Sequence, residues 1–229
     1  MNYLTFFSRI LLCTGTTNIF VENIWWNMII GLFVGILSSI IGKYVIECIK
    51  SLWFYRLYKS MGVEKIFSTQ QKGESHIIRE IKSSKKLRVF AMRGTTFSDE
   101  ENSCIAKEAL KNSNLKQYYL VSSLANKYLK DRAKEIDDPN LIAGVEKSIS
   151  CFEGFSKNHY NIEYRLHAEN VRFRIILFDS HLYLSFMEES KRAKKTDILK
   201  IKKSSPLYKT FSTLFDELWG KYEPSEELI

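Results

Sequence analysis

The sequence predicts an α/β protein, an N-terminal transmembrane helix followed by a three-layer α/β sandwich. Three observations carry that expectation. The run Ile24–Gly42 holds no charged residue. Helical and strand patterns alternate from residue 63 onward, and a hairpin-rich cluster follows them, a combination that points to helices packed on a mixed sheet.

Four regions follow. Ile24–Gly42 (IWWNMIIGLFVGILSSIIG) is bounded by Glu22 and Lys43. At roughly 1.5 Å per residue it approaches the thickness of a bilayer core. Trp25 and Trp26 stand at one edge and Tyr44 at the other, where amphipathic rings favour the interface. Lys43, Lys50, Arg56, Lys59 and Lys65 lie downstream against only Arg9 upstream, which orients the C-terminal domain to the cytoplasm of a bacterial inner membrane. Residues 1–23 form an amphipathic or weakly spanning segment, because Tyr3–Cys13 is apolar but interrupted by Arg9. Gly31, Gly35, Ser38 and Gly42 put small residues at helical spacing, which suits helix–helix association and a homo-oligomer, although glycine is common in membrane helices anyway. Residues 43–62 read as a juxtamembrane helix along lipid headgroups, ended by Met61–Gly62. Residues 63–229 are the soluble domain.

Within that domain, Ser75–Ser83 has apolar residues at helical spacing with Ser75 as N-cap, and Leu87–Met92 reads as a strand. A helix near Glu101–Lys111 precedes a strand at Leu115–Val121. Helical stretches near Leu124–Glu135 and Asn140–Ser156 are separated by Asp137–Asp138–Pro139. Strands follow at Ile162–His167, Val171–Phe178 and His181–Phe186, with Asp179–Ser180 as the tight turn between the last two. Ile198–Lys202 is a further strand, and Leu207–Trp219 a C-terminal helix with Leu207, Phe211, Leu214, Phe215 and Leu218 on its apolar face.

The net charge of +8 favours anionic partners, nucleic acid or lipid. A membrane protein with basic cytoplasmic flanks explains it equally well. Cys13, Cys48, Cys104 and Cys151 are scattered, as are His76, His159, His167 and His181, so neither a structural metal nor a cofactor is expected.

The stretch Arg172–Phe186 (RFRIILFDSHLYLSF) resembles the phospholipase D superfamily motif H-x-K-x-x-x-x-D with its following hairpin. Arg172 stands where that family has its nucleophilic histidine, Arg174 where it has lysine, Asp179 at the aspartate and Ser185 near the small hydroxyl residue. The resemblance covers about residues 63–220 as a single half of such an enzyme. It implies the family's phosphodiester chemistry, but arginine at 172 stays protonated and cannot attack phosphorus. Loss of hydrolysis is therefore expected, with Arg174 still suited to a phosphate. An alternating strand with Arg172 and Arg174 toward solvent fits the same residues.

Arg93 is a second anion-binding candidate, followed by Gly94, Thr95, Thr96 and Ser98 at a strand end. Lys191–Lys203 is strongly basic without interleaved aromatics, which suits phosphate or lipid contact, or simply a solvated loop. A membrane anchor joined to a degenerate phospholipase D-like half also resembles bacterial anti-phage effectors, including those of retrons. That resemblance implies a toxin held silent by a reverse transcriptase with its small DNA, and released to permeabilise the membrane in abortive infection. The alternatives are a membrane-tethered phosphodiesterase that depends on His167 or His181, and a non-toxic sensor.

Overall fold

A computed structural model describes residues 43, 45, 47, 55–158, 161–187 and 196–222. The expected span Ile24–Gly42, with its Gly31, Gly35, Ser38 and Gly42 face, lies outside them, as does the N-terminal segment 1–23. The fold class is corrected here: among the described residues, no helix is long and apolar enough to cross a membrane. What forms is an α/β domain on a mixed sheet. The chain divides into two units, Met1–Arg56 and Leu57–Ile229, and the second carries all the elements described below.

The elements run β1 (Val63–Phe67), α1 (Gln70–Ser83), β2 (Lys86–Ala91), α2 (Thr95–Ser98), α3 (Cys104–Lys111), β3 (Lys116–Ser122), α4 (Tyr128–Glu135), α5 (Leu141–Asn158), β4 (Ile162–His167), β5 (Phe173–Leu177), β6 (His181–Phe186), β7 (Ile198–Lys202) and α6 (Pro206–Lys221). The seven strands form one sheet in the order β1-β7-β6-β5-β2-β3-β4. β2, β3 and β4 are parallel neighbours, because helices fill each connection and return the chain to the same end. The remaining pairs are antiparallel, with Leu177 opposite Leu182 across the Phe178–His181 turn.

Both sheet faces are covered. One buries Val89, Tyr119, Ile176 and Tyr183 against Ile77, Ile81, Ile105 and Phe152 from α1, α3 and α5. The other buries Phe90, Ile175, Leu182 and Ile201 against Leu129 of α4 and Tyr208 and Phe215 of α6. Side chains of central strands are therefore enclosed whichever way they point.

The helix starts follow local chemistry. Thr69 caps α1 by accepting from the Lys72 amide, so the helix begins before the expected Ser75. Its first residues are polar and give no apolar periodicity to read. Ser205 caps α6 in the same way, with Pro206 preset in the first helical position.

The candidate anion pocket

At the end of the sheet where β2 stops, β5 starts antiparallel to it and α1 begins, a cavity of about 330 Å³ opens. Its lining includes Arg93, Arg132 and Arg174 with Gln70, Thr95 and Asp138 over an apolar floor. Sites beyond the C-terminal ends of parallel strands are where open α/β sheets tend to bind ligands.

Arg174 reaches the cavity because β5 alternates: Ile175 and Leu177 enter one core, while Arg174 and Ile176 face the other side. It is only 7% exposed. Its Nη1 donates to Gln70 Oε1 at 2.7 Å, and its Nη2 has no hydrogen-bond partner among the described residues. Burial drags its guanidinium down to about 10.

Arg93 stands just past β2. Its Nη1 lies 3.4 Å from Asp138 Oδ2, and its Nε donates to Thr95 Oγ1 at 3.4 Å. Two glycines seat it. Gly94 has φ +73°, and a Cβ there would fall 2.9 Å from Val121, so the chain can turn at that point only with glycine. A Cβ on Gly144 would come 2.7 Å from Arg93 Cδ, so the bare backbone of α5 leaves room for the arginine stem. Arg132, on α4, pairs with Glu135 at 2.9 Å. The hydrogen bond from Arg132, helped by Arg172, holds the Glu135 carboxyl below the ordinary carboxylate range.

The other motif residues lie elsewhere. Arg172 is on the surface, its Nη1 donating to both oxygens of Glu135 at 3.0 and 3.2 Å. Asp179, in the β5–β6 turn, accepts from the backbone amides of Lys85 and Lys86 at 2.6 and 3.1 Å. It ties that turn to the start of β2. Ser185 is buried on β6 opposite Arg174. Of the sequence candidates, then, Arg93 and Arg174 meet in the cavity, Ser185 backs the strand, and Arg172 and Asp179 serve other contacts. Gln70, Arg132 and Asp138 also line the cavity and carry no motif signal in the sequence. Asp138 stands in the sequence within a helix-breaking Asp-Asp-Pro, and Gln70 in a polar stretch without apolar periodicity.

Neither histidine proposed for a phosphodiesterase lines the cavity. His167 is fully buried, with Nε2 3.2 Å from the Ala91 carbonyl and Nδ1 accepting from the Glu169 amide at 3.2 Å. Both nitrogens are occupied, and burial pushes the ring down to about 4. His181 has Glu80 2.8 Å from Nδ1 and Glu64 3.0 Å from Nε2, while Lys200 lies 3.1 Å from Glu80. This ionic cluster joins β1, α1, β6 and β7. Lys200 and Lys202, both from the basic run, pair with Glu64 and Glu80, whereas residues 191–195 lie outside the described residues. No group of residues able to hold a metal occurs among the described ones.

No family model matches the chain, and no curated protein matches it. Among solved structures it is similar to TrmBL2, an archaeal chromatin protein with a novel mode of DNA binding. The TM-score is 0.46 at 12% identity, over 83% of this chain and 70% of that one. It is also similar to Nuc, a phospholipase D family member from Salmonella typhimurium, with a TM-score of 0.42 at 12% identity over 70% of this chain and 97% of that one.

Proposed function

We propose that this chain is a non-hydrolytic receptor for a phosphate-bearing anion, and that this recognition belongs to a bacterial anti-phage effector. One observation carries the first half. Arg174 is buried with a neutral amide as its hydrogen-bond partner and an unused Nη2, whereas Arg93 and Arg132 each have a carboxylate. A buried guanidinium lacking a counter-charge is costly, and an anion entering the cavity would supply both the charge and the acceptor. Phosphate fits the fork of an arginine with two oxygens at once.

In this role the bound ligand is not hydrolysed. Thr95 and Thr96 bring hydroxyls to the cavity, but their neighbours are Arg93 and Gln70, neither of which can act as a base. Arg172, at the nucleophile position of the motif, is bound to Glu135 outside the cavity.

The defence role draws on the sequence resemblance and the net charge of +8, which suits an anionic target such as the inner membrane. In it, a reverse transcriptase with its small DNA silences the chain, and release makes it toxic. Calorimetric titration of the purified chain with inorganic phosphate tests the receptor. Saturable binding in wild type that disappears in Arg174→Met supports it, and equal binding by both overturns it. Expression alone in bacteria, followed by growth and dye entry, tests the effector. Toxicity relieved by the co-expressed partner is the expected result, and unaffected growth overturns the role.

A further inference from the structure

A second, polar groove of about 480 Å³ shares Gln70, Thr95 and Thr96 with the arginine pocket. Gln70 is the common wall. Its Oε1 accepts from Arg174 on one side, and its Nε2 donates to Thr96 Oγ1 at 3.1 Å on the other. The two cavities differ in chemistry. The first presents three guanidinium groups and one carboxylate, Asp138, which is paired with Arg93. The second presents the carboxylates of Glu74 and Asp99, the latter already accepting from Asn102 and keeping its remaining lone pairs, with Gln71 beside them.

Resting on the anion-receptor reading, we propose that the two cavities form one site with Gln70 as a movable partition. Its ligand is a small phosphate ester whose other end carries hydroxyl or amino groups, as in a sugar phosphate or a mononucleotide. The buried, half-satisfied Arg174 takes the phosphoryl group, and Gln70 holds the place of one phosphoryl oxygen until the ligand arrives. A neutral amide is a weaker acceptor than a phosphoryl oxygen, so the exchange favours the ligand. The groove carboxylates then accept hydrogen bonds from the attached group. The same carboxylates repel a second phosphate, which disfavours a nucleic-acid strand, and the polar lining offers nothing to an acyl chain.

The experiment is calorimetric titration of the purified full-length chain with inorganic phosphate and with ribose 5-phosphate. Ribose 5-phosphate should bind about tenfold more tightly, the scale of a hydrogen bond to a charged acceptor. Glu74→Leu combined with Asp99→Asn should remove most of that gain while phosphate affinity stays unchanged. Gln70→Ala should bind phosphate at least as tightly as wild type. Equal affinity for the two probes, or a gain that survives the double substitution, overturns the two-part site while leaving the anion receptor standing. Absence of phosphate binding by the wild-type chain overturns both.

Discussion

Arg174 Nη1 donates to Gln70 Oε1 at 2.7 Å, joining a central strand to the first turn of a helix 104 positions away. The contact pairs a cation with a neutral group inside the protein, and the first prediction comes from that mismatch. Replacing a buried charge with an apolar residue of similar length is often neutral or stabilising. Arg174→Met is therefore expected to hold or raise stability in phosphate-free buffer, by up to about 2 kcal/mol, while abolishing the rise in Tm that phosphate gives the wild type. Thermal melts with and without phosphate check both halves. A marked destabilisation without ligand would show that the guanidinium is a structural element already satisfied.

Arg172 and Asp179 flank the same strand and should behave differently. Arg172 forms an exposed ion pair with Glu135, so Arg172→Ala should change stability by less than about 1 kcal/mol and phosphate affinity by less than about twofold. Asp179 accepts two backbone amides, so Asp179→Ala should cost about 2 kcal/mol and leave phosphate affinity intact. Chemical denaturation and titration of the two variants separate these outcomes.

The strands from β2 to β7 were legible because each is a short apolar or alternating run closed by turn residues. β1 has no such signature: Val63–Phe67 is an edge strand with Lys65 and Ile66 exposed, and it lacks an apolar run. The site was half legible. Arg93 and Arg174 could be picked out, but alternation on β5 could not say that Arg174 points inward, because the sheet is covered on both faces and inward and outward lose their meaning. Gln70, Arg132 and Asp138 come from three separate segments, and only the fold brings them to one cavity. Arg172 bonds to Glu135 at the end of α4 and does not line the cavity, a pairing between distant segments that only the fold brings about.

Glu80 is the next test. Burial alone would raise its carboxyl, but hydrogen bonds from Ser180, Lys200 and His181 outweigh that and hold it below the ordinary carboxylate range. A depressed carboxyl stabilises the fold above its unfolded pKa, and the contribution is lost as pH falls through the folded value. Glu80→Ala should cost about 3 kcal/mol at neutral pH, since it leaves Lys200 partly buried beside His181 without this carboxylate. The double change Glu80→Met with Lys200→Met should recover more than half of the loss. Denaturation midpoints of the three proteins check this, and equal losses in the single and double variants would rule out the buried pair as the cause.

His167 gives the clearest pH prediction. Desolvation drives its ring down to about 4 against an ordinary value of 6.5, because the charged form would lie in the core beside Phe90. Between those two values the unfolded chain binds a proton that the folded chain refuses, so folding stability must fall as pH drops through that window. The loss between pH 7 and pH 5 should be about 2 kcal/mol from this residue. His76 acts in the same direction, but from a more exposed ring. His167→Gln removes the titration and keeps a polar side chain near the Ala91 carbonyl, so its stability should be lower at pH 7 yet flatter down to pH 5. Denaturant titrations of both proteins at the two pH values decide it. A wild-type curve as flat as the variant's would mean that the ring is already hydrated in the folded state, and His167 would return as a candidate for proton transfer.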